Sequence, residues 1–392
     1  MSNNPRRTGL FARWLRRGIA GAVVAIAFAP PLARAVEQVS LRRGDEELQV
    51  TGRVLVTAED GGLLFETTAG ALLTIEPADL VRRSSNDRPF APLDAEQLAE
   101  QVLAELPAGF DAHRTAHYVV CYNTSRSYAQ WCGGVFERLY GAFTNFWTRR
   151  DFELPAPEFP LVAIVFADQQ QYGDYTRKEL KDAAAMLGYY NLKTNRMALV
   201  DLTGVTRLRS TRRGRGSAAE INLLLSQPAA ERSVATIVHE ATHQIAFNTG
   251  LATRLADIPL WSSEGLAMYF ETPDLGSGKG WRTIGAVNTV RLEQFRDYLA
   301  RRPSDSLKTL VEDDRRFRDP RLATDAYAEA WALTYFLVRQ RWEQYAAYTR
   351  LLAAKGPLVW DTPAERIDDF QSAFGDLTAL DADFLRQMQK LR

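Results

Sequence analysis

Three features of the sequence predict an α+β fold. Short β-prone runs broken by turn signals fill residues 36–83, alternating strand and helix signals follow from about 106 to 230, and helical periodicity dominates from 231 onwards. The composition, 392 residues with 46% hydrophobic and 24% charged, fits one large domain plus a small one and argues against disorder or a repeat array.

Residues 1–35 stand apart from the fold. Arg6, Arg7, Arg13, Arg16 and Arg17 precede an apolar run over 19–29 and then Ala33-Arg34-Ala35, the layout of a secretory signal peptide. The run is too short for a bilayer span of about 20 residues, so no retained transmembrane segment is expected. The mature chain is expected to be exported: periplasmic, extracellular or in the cell envelope. Removing the leader takes away six arginines and no acid, so a chain balanced at 48 basic and 48 acidic residues becomes net negative by six, and nucleic acid is not an expected partner.

Residues 36–83 read as a small β-meander or barrel, with strands over 48–50, 53–56, 63–66 and 72–75 separated by Asp60-Gly61-Gly62 and Ala69-Gly70. No catalytic constellation lies in it; packing, inhibition before maturation and binding of an envelope partner are all open roles. Residues 84–105 read as a linker and a short helix. The linker signal is the Ser, Asn, Asp and Pro content of 82–92, and the helix spans 94–106.

The main domain, 106–392, divides into an α/β part over 106–230 and a helical part over 231–392. A strand around Tyr118 leads into a helix over 125–147 whose Trp131, Phe136, Tyr140, Phe143 and Trp147 form a core stripe. Strands follow at 161–166, 188–191 and 197–200, enough for a twisted sheet with helices packed on it. Arg207, Arg209, Arg212, Arg213 and Arg215 make a basic loop, read as solvated, with an anionic contact at a cleft rim or a cleavable loop as its rivals. Cys121 ends the first strand and Cys132 lies on the next helix; in an exported chain a disulfide and a pair of buried thiols are both open. Further helices are expected at 288–300, 306–312, 324–342, 343–355, 362–374 and 381–391, with Thr362-Pro363 as cap and first turn and Gly375 as stop.

The chemistry concentrates at His239-Glu240-Ala241-Thr242-His243. Apolar residues at 234, 237, 238, 241, 245 and 247 have helical spacing, with Ser233 as N-cap and Gly250 as stop. At roughly 100° per residue the two imidazoles share one face, with Cβ atoms about 6 Å apart, which suits two ligands of one tetrahedral ion. Only four histidines occur in 392 residues, so chance would supply H-E-x-x-H in roughly one of several hundred such chains. Two histidines leave a catalytic zinc one protein ligand short. In Pro259-Leu260-Trp261-Ser262-Ser263-Glu264-Gly265-Leu266-Ala267, Ser262 caps a second helix, Glu264 falls in its first turn, and the small Gly265 and Ala267 let it approach the first helix. Glu264 is therefore the expected third ligand; the alternative is an acid that complements the helix dipole. His113 and His117 are also four apart, but an extended chain holds them about 13 Å apart, too far to share an ion.

His239-Glu240-x-x-His243 with Glu264 in a Trp-x-x-Glu-Gly-x-Ala setting resembles the gluzincin zinc metallopeptidases, the clan of thermolysin and the membrane-alanyl-aminopeptidase-like enzymes, and is nearest in pattern to exported bacterial members. The pattern is specific over 233–271 and the similarity in layout runs from about 106 to the C-terminus, leaving the β module outside. The resemblance implies a gluzincin-like domain with a sheet-bearing upper part, a helical lower part and a zinc cleft between. It implies His239, His243 and Glu264 as ligands, Glu240 as general base, and Tyr327, 63 residues beyond Glu264, as oxyanion donor, with Tyr335 in reserve. The acid that thermolysin-like enzymes carry four residues after the third ligand is replaced by Met268, so Glu271 is the expected partner that orients a histidine. The Gly-x-Met-Glu-Asn strand of the aminopeptidase-like branch has no match, although 188–191 and 195–197 are candidates for the same cleft edge; amino-terminal specificity is unsupported. The expected function is an exported zinc endopeptidase acting on peptide or protein substrates. An inactive gluzincin-fold scaffold of the envelope and a zinc hydrolase of a non-peptide amide are the alternatives.

Overall fold

Strands β1 (Ala35–Arg43), β2 (Glu46–Thr57), β3 (Leu63–Thr67), β4 (Leu72–Ile75) and β5 (Leu80–Pro89) form one antiparallel sheet in the order β4-β3-β2-β1-β5. Val39, Leu41, Leu63, Phe65 and Ile75 are its core. The computed structural model describes residues 35–44, 46–179, 187–205, 217–272 and 283–391; the stretch up to residue 34, expected to be a signal peptide, and the arginine-rich stretch 207–215 lie outside them. Two expectations change. The runs at 48–50 and 53–56 belong to one strand, β2, and the polar stretch read as a linker is largely β5. β5 is an outer strand exposed along almost its whole length, tied to β1 partly through the Arg83–Glu37 ion pair, so it carries no apolar alternation to betray it.

α1 (Ala95–Glu105) follows, with Asp94 and Gln97 closing a capping box. The second sheet, β6-β7-β8-β10-β9, is built from β6 (Asp111–Arg114), β7 (Tyr118–Tyr122), β8 (Leu161–Phe166), β9 (Gly188–Asn191) and β10 (Arg196–Val200). β7, β8 and β10 run parallel and are buried throughout; β6 and β9 are antiparallel outer strands. Alternate residues face opposite ways. Val119, Cys121, Val162 and Ile164 pack towards α1 and α3 (Gln169–Glu179). Val120, Ala163, Val165, Met197 and Leu199 face α2 (Arg126–Thr148) and the helical part. This alternation bears on the cysteines. Cys121 and Cys132 are free and buried in different cores on opposite sides of the sheet, so the disulfide alternative gives way to buried thiols.

The remaining helices are α4 (Leu202–Val205), α5 (Ala218–Leu225), α6 (Pro228–Asn248), α7 (Leu260–Phe270), α8 (Thr289–Leu299), α9 (Ser306–Glu312), α10 (Arg315–Arg318), α11 (Ala323–Gln340), α12 (Trp342–Ala353), α13 (Pro363–Phe374) and α14 (Leu377–Met388). The main core joins the inner face of the sheet to α2, α6, α7 and α11. The result is mixed α+β, an N-terminal β-sheet module and a helical C-terminal part. Among the described residues no helix is long and apolar enough to cross a membrane.

Candidate metal centre

Helix α6 begins six residues earlier than the sequence suggests. Pro228 occupies its first turn behind Gln227, and Ser233 lies inside the helix and does not cap it. The apolar face is as expected: Val234, Ile237, Val238, Ala241 and Ile245 are fully buried, each large aliphatic contributing about 1.5–3 kcal/mol of burial. Thr249 and then Gly250, at φ +70°, end the helix. With that face fixed on the core, His239, Glu240, His243 and Phe247 face a cleft of about 500 Å3, whose far side is β9 and whose floor is α7.

α7 starts directly after Pro259, and Asp314 accepts a hydrogen bond from the Leu260 N–H at 3.0 Å. Ser262 is therefore not the cap, and Glu264 sits in the second turn. Gly265 does mediate a close approach, but to a different helix. A Cβ there would lie 2.1 Å from Thr334 Oγ1 and 2.7 Å from the Ala330 carbonyl, so the glycine seats α7 on α11, not on α6.

The three expected ligands converge. His239 Nε2 lies 3.1 Å from His243 Nε2 and 3.1 Å from a Glu264 carboxylate oxygen, and His243 Nε2 lies 3.6 Å from the other oxygen. Donors at about 2.05 Å from a tetrahedral ion are about 3.3 Å apart, so this triangle fits one such ion. Glu271 accepts from His239 Nδ1 at 2.9 Å, which leaves Nε2 directed at the other donors; its second oxygen accepts from Asn288 Nδ2 at 2.7 Å. Asn288 also caps α8, a double role that the sequence reading did not find.

Electrostatics follow from this crowding. Burial opposes charge on His239, but its hydrogen bonds to Glu264 and Glu271 outweigh it and hold the imidazole well above its usual range. Burial alone would raise Glu264, yet the two histidines hold it well below the usual carboxylate range. Glu240 goes the other way, pushed up by burial and by Glu264 against the pull of both histidines. One of its oxygens accepts from the Tyr190 N–H of β9 at 2.9 Å.

Residues 233–359 are similar to a family described as "Protein of unknown function (DUF1570)". That stretch contains α7, most of α6 and all of α11, hence every donor of the triangle. No curated protein matches the chain.

Tyr327 lies in the same cleft, and its phenol is pushed up by burial and by Glu264 and Glu240, so it stays a protonated donor at neutral pH. Its helix is held in register by the fully buried Glu329, which accepts from Arg302 and Arg316 at 2.7 Å each. Tyr335, the reserve, is placed elsewhere, packed on Tyr269 and Trp331 outside the cleft. His113 and His117 are not brought together with the site; His117 Nδ1 instead pairs with Glu137 at 2.7 Å. A network missed in the sequence links α6 to the β9–β10 turn. Asn195, at φ +60°, and Asn248 exchange amide hydrogen bonds at 2.8 Å, Tyr190 donates to Asn195 at 2.6 Å, and Gln244 donates to the Asn195 carbonyl at 3.1 Å.

Proposed function

We propose that the chain is an exported zinc-dependent peptide hydrolase of the gluzincin type. The observation that carries the reading is the triangle of His239, His243 and Glu264 at the spacing of one tetrahedral ion, with the buried carboxylate of Glu240 beside it. Zinc held by those three side chains would supply a water of lowered pKa and a polarising charge for a carbonyl. Glu240, with one oxygen occupied by the Tyr190 N–H, uses the other to take the proton from water and pass it to the leaving amine. Tyr327, protonated, donates to the oxyanion that develops on the carbonyl. β9 is an outer strand with its unpaired edge at the cleft, a geometry that suits an extended peptide laid along it. Export is supported by the arginine-rich, apolar, small-residue order of the first 35 residues.

A peptide library is the direct test. Cleavage abolished by a chelator, restored by zinc and lowered by at least about 100-fold in Glu240→Gln is expected, with Tyr327→Phe losing about 100-fold or more while metal is retained. Zinc-loaded protein that cleaves no peptide would favour an inactive scaffold or a hydrolase of another amide.

A further inference from the structure

Arg291, in the first turn of α8, is the one permanently cationic side chain among the described residues that line the cleft. The other charged groups there are the carboxylates Glu240, Glu264 and Glu271, together with the two histidines. Arg291 lacks a carboxylate at hydrogen-bond distance among the described residues. Its nearest, Glu271, is 3.8 Å from Nε, and both Glu271 oxygens already accept shorter bonds, from His239 and from Asn288. The guanidinium spends one donor on Gln294, at 3.1 Å, and its carbon stands 5.6 Å from the centre of the Tyr327 ring. A partly exposed guanidinium with spare donors, beside the proposed oxyanion donor, is a site for a planar anion.

We infer that Arg291 recognises a carboxylate of the substrate, so that the cleft prefers peptides with a negative group close to the bond it cleaves. The inference rests on the peptidase reading for its substrate class, but the anion site itself is a property of the apposed side chains. The three carboxylates of the cleft would repel such a group elsewhere along its wall. A divalent ion at the triangle would offset two of those negative charges, and Arg291 is the remaining cation among the described residues that line the cleft. The carboxylate has two sources, a free chain end or an acidic side chain, and both present the same two oxygens to the guanidinium.

The test uses pairs of N-acylated peptides. One pair differs in a free C-terminal carboxylate against its amide; the other differs in Glu against Gln next to the scissile bond. Zinc-loaded wild type, Arg291→Lys and Arg291→Gln are compared by the acid-to-neutral ratio of kcat/KM, and calorimetric binding of the same peptides to zinc-loaded Glu240→Gln, alone and combined with Arg291→Gln, gives a readout without turnover. The expected result is an acid preference of about ten- to 100-fold in wild type, lost in Arg291→Gln and partly kept in Arg291→Lys. A preference confined to one pair identifies the source as chain end or side chain. Equal handling of acid and neutral peptides by wild type, or a ratio that survives Arg291→Gln while both rates fall together, overturns the inference and makes Arg291 a support for Glu271. Acid-selective, Arg291-dependent binding without hydrolysis of any peptide supports the anion site and overturns the peptidase reading alone.

Discussion

Glu271 shows how a residue outside the recognised pentapeptide can set the site. It lies just past the end of α7, joins His239 Nδ1 to Asn288 and so fixes which imidazole nitrogen faces the other donors. Glu271→Gln keeps the shape but weakens the acceptor at Nδ1. Zinc affinity is expected to fall by about ten- to 100-fold in a competition titration with the fold intact by circular dichroism; unchanged affinity would remove Glu271 from the site. At this scale much was legible. The helical spacing of His239 and His243 put both on one face, and Glu264 and Glu271 are where an acid was sought. The contacts of Asn288 with Glu271 and of Asn195 with Asn248 were not legible, because these partners lie 17 and 53 residues away, and nothing in the local sequence of Arg291 marks its place in the cleft.

The elements that carry these residues were read well when one face meets the core and badly when neither does. α6 has one stripe on the core and one on the cleft, so its period is visible. β5 is solvated on both faces and passed for a linker. Helix starts were also misplaced: serines at 233 and 262 looked like caps, but prolines at 228 and 259 begin α6 and α7 earlier. The seat of α7 on α11 yields a sharp expectation. Gly265→Ala places a methyl against the Ala330 carbonyl and Thr334, and the strain should cost about 1–3 kcal/mol in urea denaturation. Because α7 carries Glu264, zinc affinity should drop as well. A variant as stable as wild type would mean that the two helices part more easily than their contact implies.

Across the whole molecule, the β module is tied to the cleft and not merely appended to it. Arg254 donates to Glu66 at 2.6 Å and to the Gly70 carbonyl at 2.8 Å, reaching from the α6–α7 connection into the module. The Leu72 N–H bonds the Lys193 carbonyl at 2.7 Å, on the turn between β9 and β10. Leu192 and Leu255, each next to one of these anchors, line the cleft. Glu66 also accepts from Arg53, which keeps Glu158 as a second partner, so Glu66→Gln takes the carboxylate from the buried Arg254, an expected loss of about 3 kcal/mol in thermal or urea unfolding. A shift below about 0.5 kcal/mol would show that the contact is not a structural tie. None of this was visible in sequence, since Glu66 and Arg254 are 188 residues apart.

Everything rests on whether the triangle binds metal. Elemental analysis of protein purified without added chelator, run beside His239→Ala and Glu264→Ala, is the most direct measurement. About one zinc per chain in wild type and in Glu240→Gln, with strongly reduced content in the two ligand variants, is the expected result. Folded wild-type protein that takes up no zinc even when supplied in excess would contradict the central claim.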